Sequence, residues 1–173
     1  MDICRGFGMK IIAYDKFPVP GLDNGDTVRY VELDELFANS DIISLHCPLT
    51  AENTGMINAE TIGKMKDGAI LINTARGPLV DEAAVTAALE SGKLRGFACD
   101  VISAEPMAET NPLKSAPNCI VTPHMAWAPI ESRKRIQECT QRSIQAAKEM
   151  YHADKIIIEA QTYAKSFYEL QGF

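Results

Sequence analysis

Short, nearly continuous apolar runs, each closed by a polar residue or a breaker, set the pattern of this chain. Residues 9–14 (MKIIAY) form the first run, which ends at Asp15 and meets Pro18, Pro20 and Gly21. Such a run predicts a buried strand entering a loop. Residues 41–46 (DIISLH) predict a second strand, stopped by Pro48, and residues 69–73 (AILIN) a third. Residues 96–101 (GFACDV) and 118–121 (NCIV) predict a fourth and a fifth. Helical segments alternate with these strands. Residues 33–38 (LDELFA) predict a short helix and residues 59–66 one or two helical turns. Residues 81–91 predict a longer helix, with Asp81 as its N-terminal cap, Glu82 at the positive end and Gly92 closing it.

Strands this apolar, alternating with helices, predict a parallel sheet covered on both faces, hence an α/β fold. Sheets of this kind bind ligands at the carboxyl ends of their strands. The polar residues at those ends are Asp15, His46, the run Asn73-Thr74-Ala75-Arg76, Asp100 and His124. After Pro129 the pattern changes. Residues 131–152 contain no Gly or Pro and place Ile136, Cys139, Ile144 and Ala147 at helical spacing. One long helix is expected there and another over residues 158–170. The division is therefore residues 1–130, a parallel-sheet segment, and residues 131–173, a helical segment.

Composition narrows the class without changing it. The chain has 173 residues, 46% of them hydrophobic and 23% charged, which is ordinary for one globular domain. A net charge of -6 disfavours nucleic acid as the main partner. The five cysteines, Cys4, Cys47, Cys99, Cys119 and Cys139, are scattered and form no CxxC pair, so reduced thiols and a cytoplasmic location are expected. No apolar stretch approaches the ~20 residues that span a bilayer, and no signal peptide is expected. No metal site is expected either. His152 stands on a polar helix without clustered ligands, and the adjacent His46 and Cys47 of an extended chain point to opposite faces.

Four stretches carry chemistry together: LHCPLT at 45–50, NTARGPLVDEAAV at 73–85, ACDVISAEP at 98–106 and TPHMAWAP at 122–129. In order and content, over roughly residues 5 to 140, they resemble the D-2-hydroxyacid dehydrogenases. DVISAEP, then NPL at 111–113, then PHMAWAP resemble the glycerate dehydrogenase (hydroxypyruvate reductase) branch. The resemblance implies a Rossmann-like, doubly wound parallel sheet, NAD as cofactor and hydride transfer between NAD(H) and a small D-2-hydroxy acid or 2-keto acid.

The same resemblance implies roles. Reduction of a keto acid needs a hydride donor, a proton donor and a cationic grip on the carboxylate. The nicotinamide supplies the hydride. His124 is similar to the proton donor, and Glu105 to the carboxylate that hydrogen-bonds it and favours the imidazolium. Arg76 resembles the residue that clamps the substrate carboxylate in a two-pronged contact. Asp15 stands where an acid accepts hydrogen bonds from the adenosine ribose and repels the extra phosphate of NADP; Lys16 beside it leaves room for a phosphate. Asp100 matches the position that holds the nicotinamide carboxamide. Thr74 and Ala75 lie where the backbone passes the nicotinamide side, Cys47 and Pro48 where it passes the adenine side. Trp127 resembles an active-site tryptophan of the glycerate branch, though a lone Trp also suits a core. Taken singly, Arg76 reads rather as a surface charge, Glu105 as a loop residue and His124 as a core histidine. Their joint match to one family's motifs favours catalysis.

The front of the chain departs from that family. Its members precede the strand of residues 9–14 with another strand, a GxGxxG turn and a helix. Here only the tail of that helix fits (MDICRGFG), and Gly6 and Gly8 are not the fingerprint because a strand follows them instead of preceding them. The sheet is therefore expected to be truncated at its N-terminus, with two inner strands unpaired. NAD affinity is expected to fall with the loss of the pyrophosphate grip. The family's substrate domain is likewise not in evidence, and residues from about Gln145 onward match nothing. Three functions compete: the dehydrogenase, a non-catalytic nucleotide-sensing or protein-binding remnant of the family, and, behind these, an interaction protein built by the long C-terminal helix. A homodimer is expected from the resemblance alone.

Overall fold

The computed structural model describes residues 1–151 and divides the chain into two units, Met1–Ala126 and a second beginning at Trp127. In the first unit the order is α1 (Asp2–Gly6), β1 (Ile11–Ala13), β2 (Val28–Tyr30), α2 (Leu33–Asn39), β3 (Ile42–Leu45), α3 (Ala59–Lys64), β4 (Ala69–Asn73), α4 (Glu82–Glu90), β5 (Leu94–Cys99) and β6 (Cys119–Val121). Single 3₁₀ turns occupy Gly77–Leu79 and Pro112–Lys114. The second unit contains α5 (Ile130–Tyr151), which begins one residue ahead of the expected start. The helix expected at 158–170 lies outside the described residues.

Among the described residues every strand pairing is parallel, as the apolar runs predict. The strands fall into two sheets, β1-β2 and β3-β4-β5-β6. Among the described residues no strand bonds the second edge of β1 or of β3, in line with the expected unpaired inner strands. The architecture is a parallel-sheet, Rossmann-like α/β fold with a C-terminal helix.

The core lies on one face of the larger sheet. Register aligns Ile43 with Leu71, Leu71 with Phe97 and Phe97 with Cys119. These pack with Phe37 of α2, Ile62 of α3 and Val85 and Leu89 of α4 in a single buried cluster. Burying each such side chain contributes roughly 1.5–3 kcal/mol. The opposite face aligns Ile42 with Ile70 and Ala98 with Ile120. Here Ile42 is 44% and Ile120 65% exposed, so within this unit the expected cover on both faces is present on one. Apolar runs cannot report which face a helix will cover.

Helix ends follow local chemistry. The Asp81 carboxylate accepts from the Ala83 and Ala84 N–H groups at the start of α4, as expected. Gly92, at φ +75°, closes it. The strand β2 escaped the sequence pattern because it is three residues long with Arg29 at its centre. Side chains before it supply what hydrophobicity does not: Asn24 accepts from Val28 N–H and Asp23 from Tyr30 N–H.

Candidate active site

The loops that leave the carboxyl ends of β1, β3, β4, β5 and β6 carry the polar residues singled out from the sequence, as a parallel sheet requires. The best-defined contact joins two of them. Glu105 Oε2 lies 2.8 Å from His124 Nδ1, with the side chains 39% and 27% exposed. An acceptor at Nδ1 places the ring proton there. Glu105 Oε1 also accepts from the Ile102 N–H at 3.3 Å.

His124 adopts φ +49°, in the left-handed region that side chains with a Cβ rarely enter. A turn so placed persists only when its surroundings hold it. Asp100 does so. Its carboxylate, in a residue only 5% exposed, accepts from the Thr122 hydroxyl at 2.5 Å, the Met125 N–H at 2.9 Å and the Ala126 N–H at 2.7 Å. These donors bracket His124 in sequence. Burial by itself would raise the Asp100 carboxyl, but the Thr122 hydroxyl, the two N–H groups and the His124 ring together hold it below its ordinary value. The sequence reading assigned Asp100 only to the cofactor and missed this structural task. The available signal was an acid inside an apolar strand, which must find donors when buried.

Arg76 follows β4. The Asn73 side chain, fully buried, accepts from the Ala75 N–H at 3.1 Å and donates to the Arg76 carbonyl at 2.9 Å. This folds Thr74, Ala75 and Arg76 into a fixed loop. The exposed Arg76 guanidinium donates to the Ala75 carbonyl at 2.7 Å, and no carboxylate among the described residues pairs with it. Gly77 then packs against the loop of Glu105: a Cβ at residue 77 would stand 1.9 Å from the Ile102 carbonyl oxygen. The backbone of Arg76–Gly77 and the segment that carries Glu105 are thus in direct contact, while the Arg76 side chain itself bonds neither Glu105 nor His124.

On the other side of the strand ends, Asp15 is exposed after β1 and accepts from the Phe17 N–H through Oδ1. Lys16 forms an ion pair with Glu52. Cys47 and Pro48 are held by Asn53, whose amide reaches the Cys47 sulfur at 3.8 Å and the Pro48 carbonyl at 2.8 Å. This set of groups fits the two ends of a dinucleotide, a carboxylate for ribose hydroxyls after β1 and loops of fixed backbone after β3 and β4. At the pyrophosphate the fit is incomplete. Gly6 and Gly8 lie at the end of α1, ahead of β1, and no strand, glycine turn and helix in succession offers backbone N–H groups to phosphate among the described residues. Trp127 belongs to the second unit. Among the described residues no cluster of His, Cys, Asp and Glu could hold a metal, and no helix is long and apolar enough to cross a membrane.

Comparison with known proteins identifies the family. Residues 1–126 match the family model of the D-isomer specific 2-hydroxyacid dehydrogenase NAD binding domain. The chain is 52% identical over 136 residues to a hydroxypyruvate reductase of Blautia hydrogenotrophica, covering 79% of this chain and 42% of that protein. It is 48% identical over 130 residues to a glycerate dehydrogenase of Methylorubrum extorquens, covering 74% and 39%. The chain thus spans about two-fifths of the length of these curated relatives. Among solved structures, a D-lactate dehydrogenase of Aquifex aeolicus complexed with NAD and lactic acid superposes with a TM-score of 0.73 at 38% identity, over 86% of this chain and 49% of that one. A glyoxylate reductase of Paecilomyes thermophila gives a TM-score of 0.76 at 36% identity, over 84% and 44%.

Proposed function

We propose a function from one premise: the chain belongs to the D-isomer specific 2-hydroxyacid dehydrogenase family, through its NAD-binding domain. The reaction is the reversible transfer of a hydride between NAD(H) and a small D-2-hydroxy acid, with the glycerate and hydroxypyruvate pair as the substrate class. The observation that carries this reading is the His124–Glu105 pair at the strand ends, backed against the loop of Arg76.

Bound nicotinamide supplies or accepts the hydride. In the direction of reduction, His124 gives a proton from Nε2 to the substrate oxygen. Glu105 holds the ring by Nδ1 and so turns Nε2 to the substrate side. Arg76, which has no carboxylate partner among the described residues, takes the substrate carboxylate through two parallel hydrogen bonds. In oxidation the same ring accepts the hydroxyl proton. Asp15 binds the adenosine ribose, Cys47 and Pro48 border the adenine side, and Thr74 and Ala75 the nicotinamide side. Asp100 holds the turn of His124, and its remaining acceptor capacity serves the nicotinamide carboxamide. The Lys16–Glu52 pair favours NAD over NADP by occupying the cation next to Asp15. A homodimer in the cytoplasm completes the reading.

The test follows NADH absorbance with hydroxypyruvate for the chain and for its Arg76→Ala and His124→Ala variants. Turnover lost in both variants supports the dehydrogenase. A folded protein that turns over nothing overturns it in favour of a nucleotide-sensing or protein-binding module.

A further inference from the structure

We infer that Glu82 is a positioning residue, which holds Glu105 against His124 by tying down both ends of the loop that carries Glu105. This inference rests on the dehydrogenase reading for its kinetic consequence. Its structural content stands on the contacts of Glu82 itself.

An acid in the first turn of a helix ordinarily faces its own N-terminal N–H groups. In α4 that task falls to Asp81, which accepts from Ala83 and Ala84. Glu82 is directed elsewhere. Its Oε1 accepts from the Ser103 N–H at 2.7 Å, and its Oε2 accepts from the Asn111 side-chain amide at 2.8 Å. One carboxylate therefore bridges residues 21 and 29 positions away, at the start and the end of the segment between β5 and the 3₁₀ turn Pro112–Lys114.

Besides Glu82, the far end of that segment is tied by the Lys114–Glu109 ion pair and by the Asn111 N–H to the Ala108 carbonyl, and its middle only by Glu105 to His124. Residues 103–106 and 108–110 are exposed, and only Ile102 and Met107 pack against the core cluster. Gly77 limits its approach from one side by steric contact at Ile102 and Ser103, which sets a wall without setting a register. The bond from Ile102 N–H to Glu105 is 3.3 Å long, beyond the usual range for N–H···O. The Glu82 bonds are shorter and charge-assisted, the stronger kind. Asn111 is fixed in turn, since its Oδ1 accepts from the Leu113 N–H. Glu82 thus transmits the rigid position of α4 to the residue that orients His124, and touches neither the ring nor any reacting atom.

The experiment reads the ring directly. Long-range ¹H–¹⁵N correlation spectra of the chain, at a pH where the ring is neutral, report which nitrogen of His124 carries the proton, independently of turnover. The native protein shows the Nδ1–H form, because the Glu105 acceptor selects it. Glu105→Ala is the reference for its loss. Glu82→Ala shifts His124 toward the Nε2–H form, while Glu82→Gln, which keeps an acceptor for Ser103, retains Nδ1–H. In turnover, Glu82→Ala lowers kcat by roughly tenfold to a hundredfold with KM for the keto acid little changed, less than the ~10²–10⁴-fold that an acid–base group itself contributes. A Glu82→Ala protein that keeps the native ring form while Glu105→Ala loses it overturns the role of Glu82 and leaves the dehydrogenase reading intact. A native protein without turnover, in which Glu82→Ala still changes the ring form, overturns the dehydrogenase reading and leaves the positioning role standing. Should Glu82→Ala fail to fold, Asn111→Ala cuts the exit tie alone, and an unchanged ring form and unchanged kcat in that variant overturn the proposal.

Discussion

Gly77 stands so close to Ile102 that a single added carbon at residue 77 would overlap the Ile102 carbonyl, at 1.9 Å from its oxygen and 2.0 Å from its carbon. No left-handed backbone angle requires glycine here; the neighbouring peptide does. The contact lets the loop after β4 and the loop after β5 share one surface. Gly77→Ala forces them apart. A cost of about 1–3 kcal/mol is expected from overpacking, and each kcal/mol lowers Tm by roughly 2–4 °C in a chain of this size. Thermal denaturation followed by circular dichroism checks it, and an unchanged Tm contradicts the close approach.

Asp100 supplies the second prediction. Its carboxyl is depressed below the ordinary value of 3.8. A depressed folded value means that the ionised form stabilises the native state above the unfolded value, and that this contribution is lost as pH falls through the folded value. Asp100→Asn removes the charge and sets an amide against donors of the 122–126 turn. A loss of about 1.5–3 kcal/mol at neutral pH follows from breaking hydrogen bonds to a charged group. Unfolding free energies from urea titration of the native and variant chains at about pH 7 should differ by that amount and converge in acid, where Asp100 is protonated in both states of the native chain. A difference that persists unchanged at low pH contradicts the assignment.

Cys99 supplies a third. Burial, with the nearby Cys119, Glu82 and Asp100 adding to it, pushes its thiol up to about 12. Only the thiolate alkylates. At neutral pH iodoacetamide should therefore leave Cys99 unmodified in the native protein while the exposed Cys4 and Cys139 react. Peptide mass mapping reads the result, and early labelling of Cys99 contradicts the packing of β5 against β6.

Cofactor affinity supplies a fourth. Hydrogen bonds to a charged group contribute about 1.5–3 kcal/mol each, and the described residues offer no strand, glycine turn and helix in succession to a pyrophosphate. Calorimetric titration of the chain with NAD should give binding at least ~10-fold weaker than that of the glycerate dehydrogenase relative, the factor that one lost bond of this kind costs at its lower limit. Equal affinity contradicts this. Asp15→Ala should weaken what binding remains.

Hydrophobic patterning alone placed five strands and their parallel pairing, because buried parallel strands need apolar residues on both faces and short bounded runs. It misjudged ends by two residues, as at residues 96–101 against Leu94–Cys99, since the pattern ignores where hydrogen bonding stops. It did not find β2, whose pairing depends on Asp23 and Asn24. The motifs marked Arg76, Glu105 and His124 as one set. They could not say that Glu105 and His124 touch while Arg76 connects to them through the backbone of Gly77.

What the order of residues determined by itself was the class of fold and the chemical types at the strand ends, because periodicity and side-chain chemistry are local properties. Which partner each polar group found was decided in three dimensions. Asp100 turned out to hold the backbone around His124, and Glu82 to reach residues 21 and 29 positions away, because buried charges must take donors from whatever segment the packing brings to them.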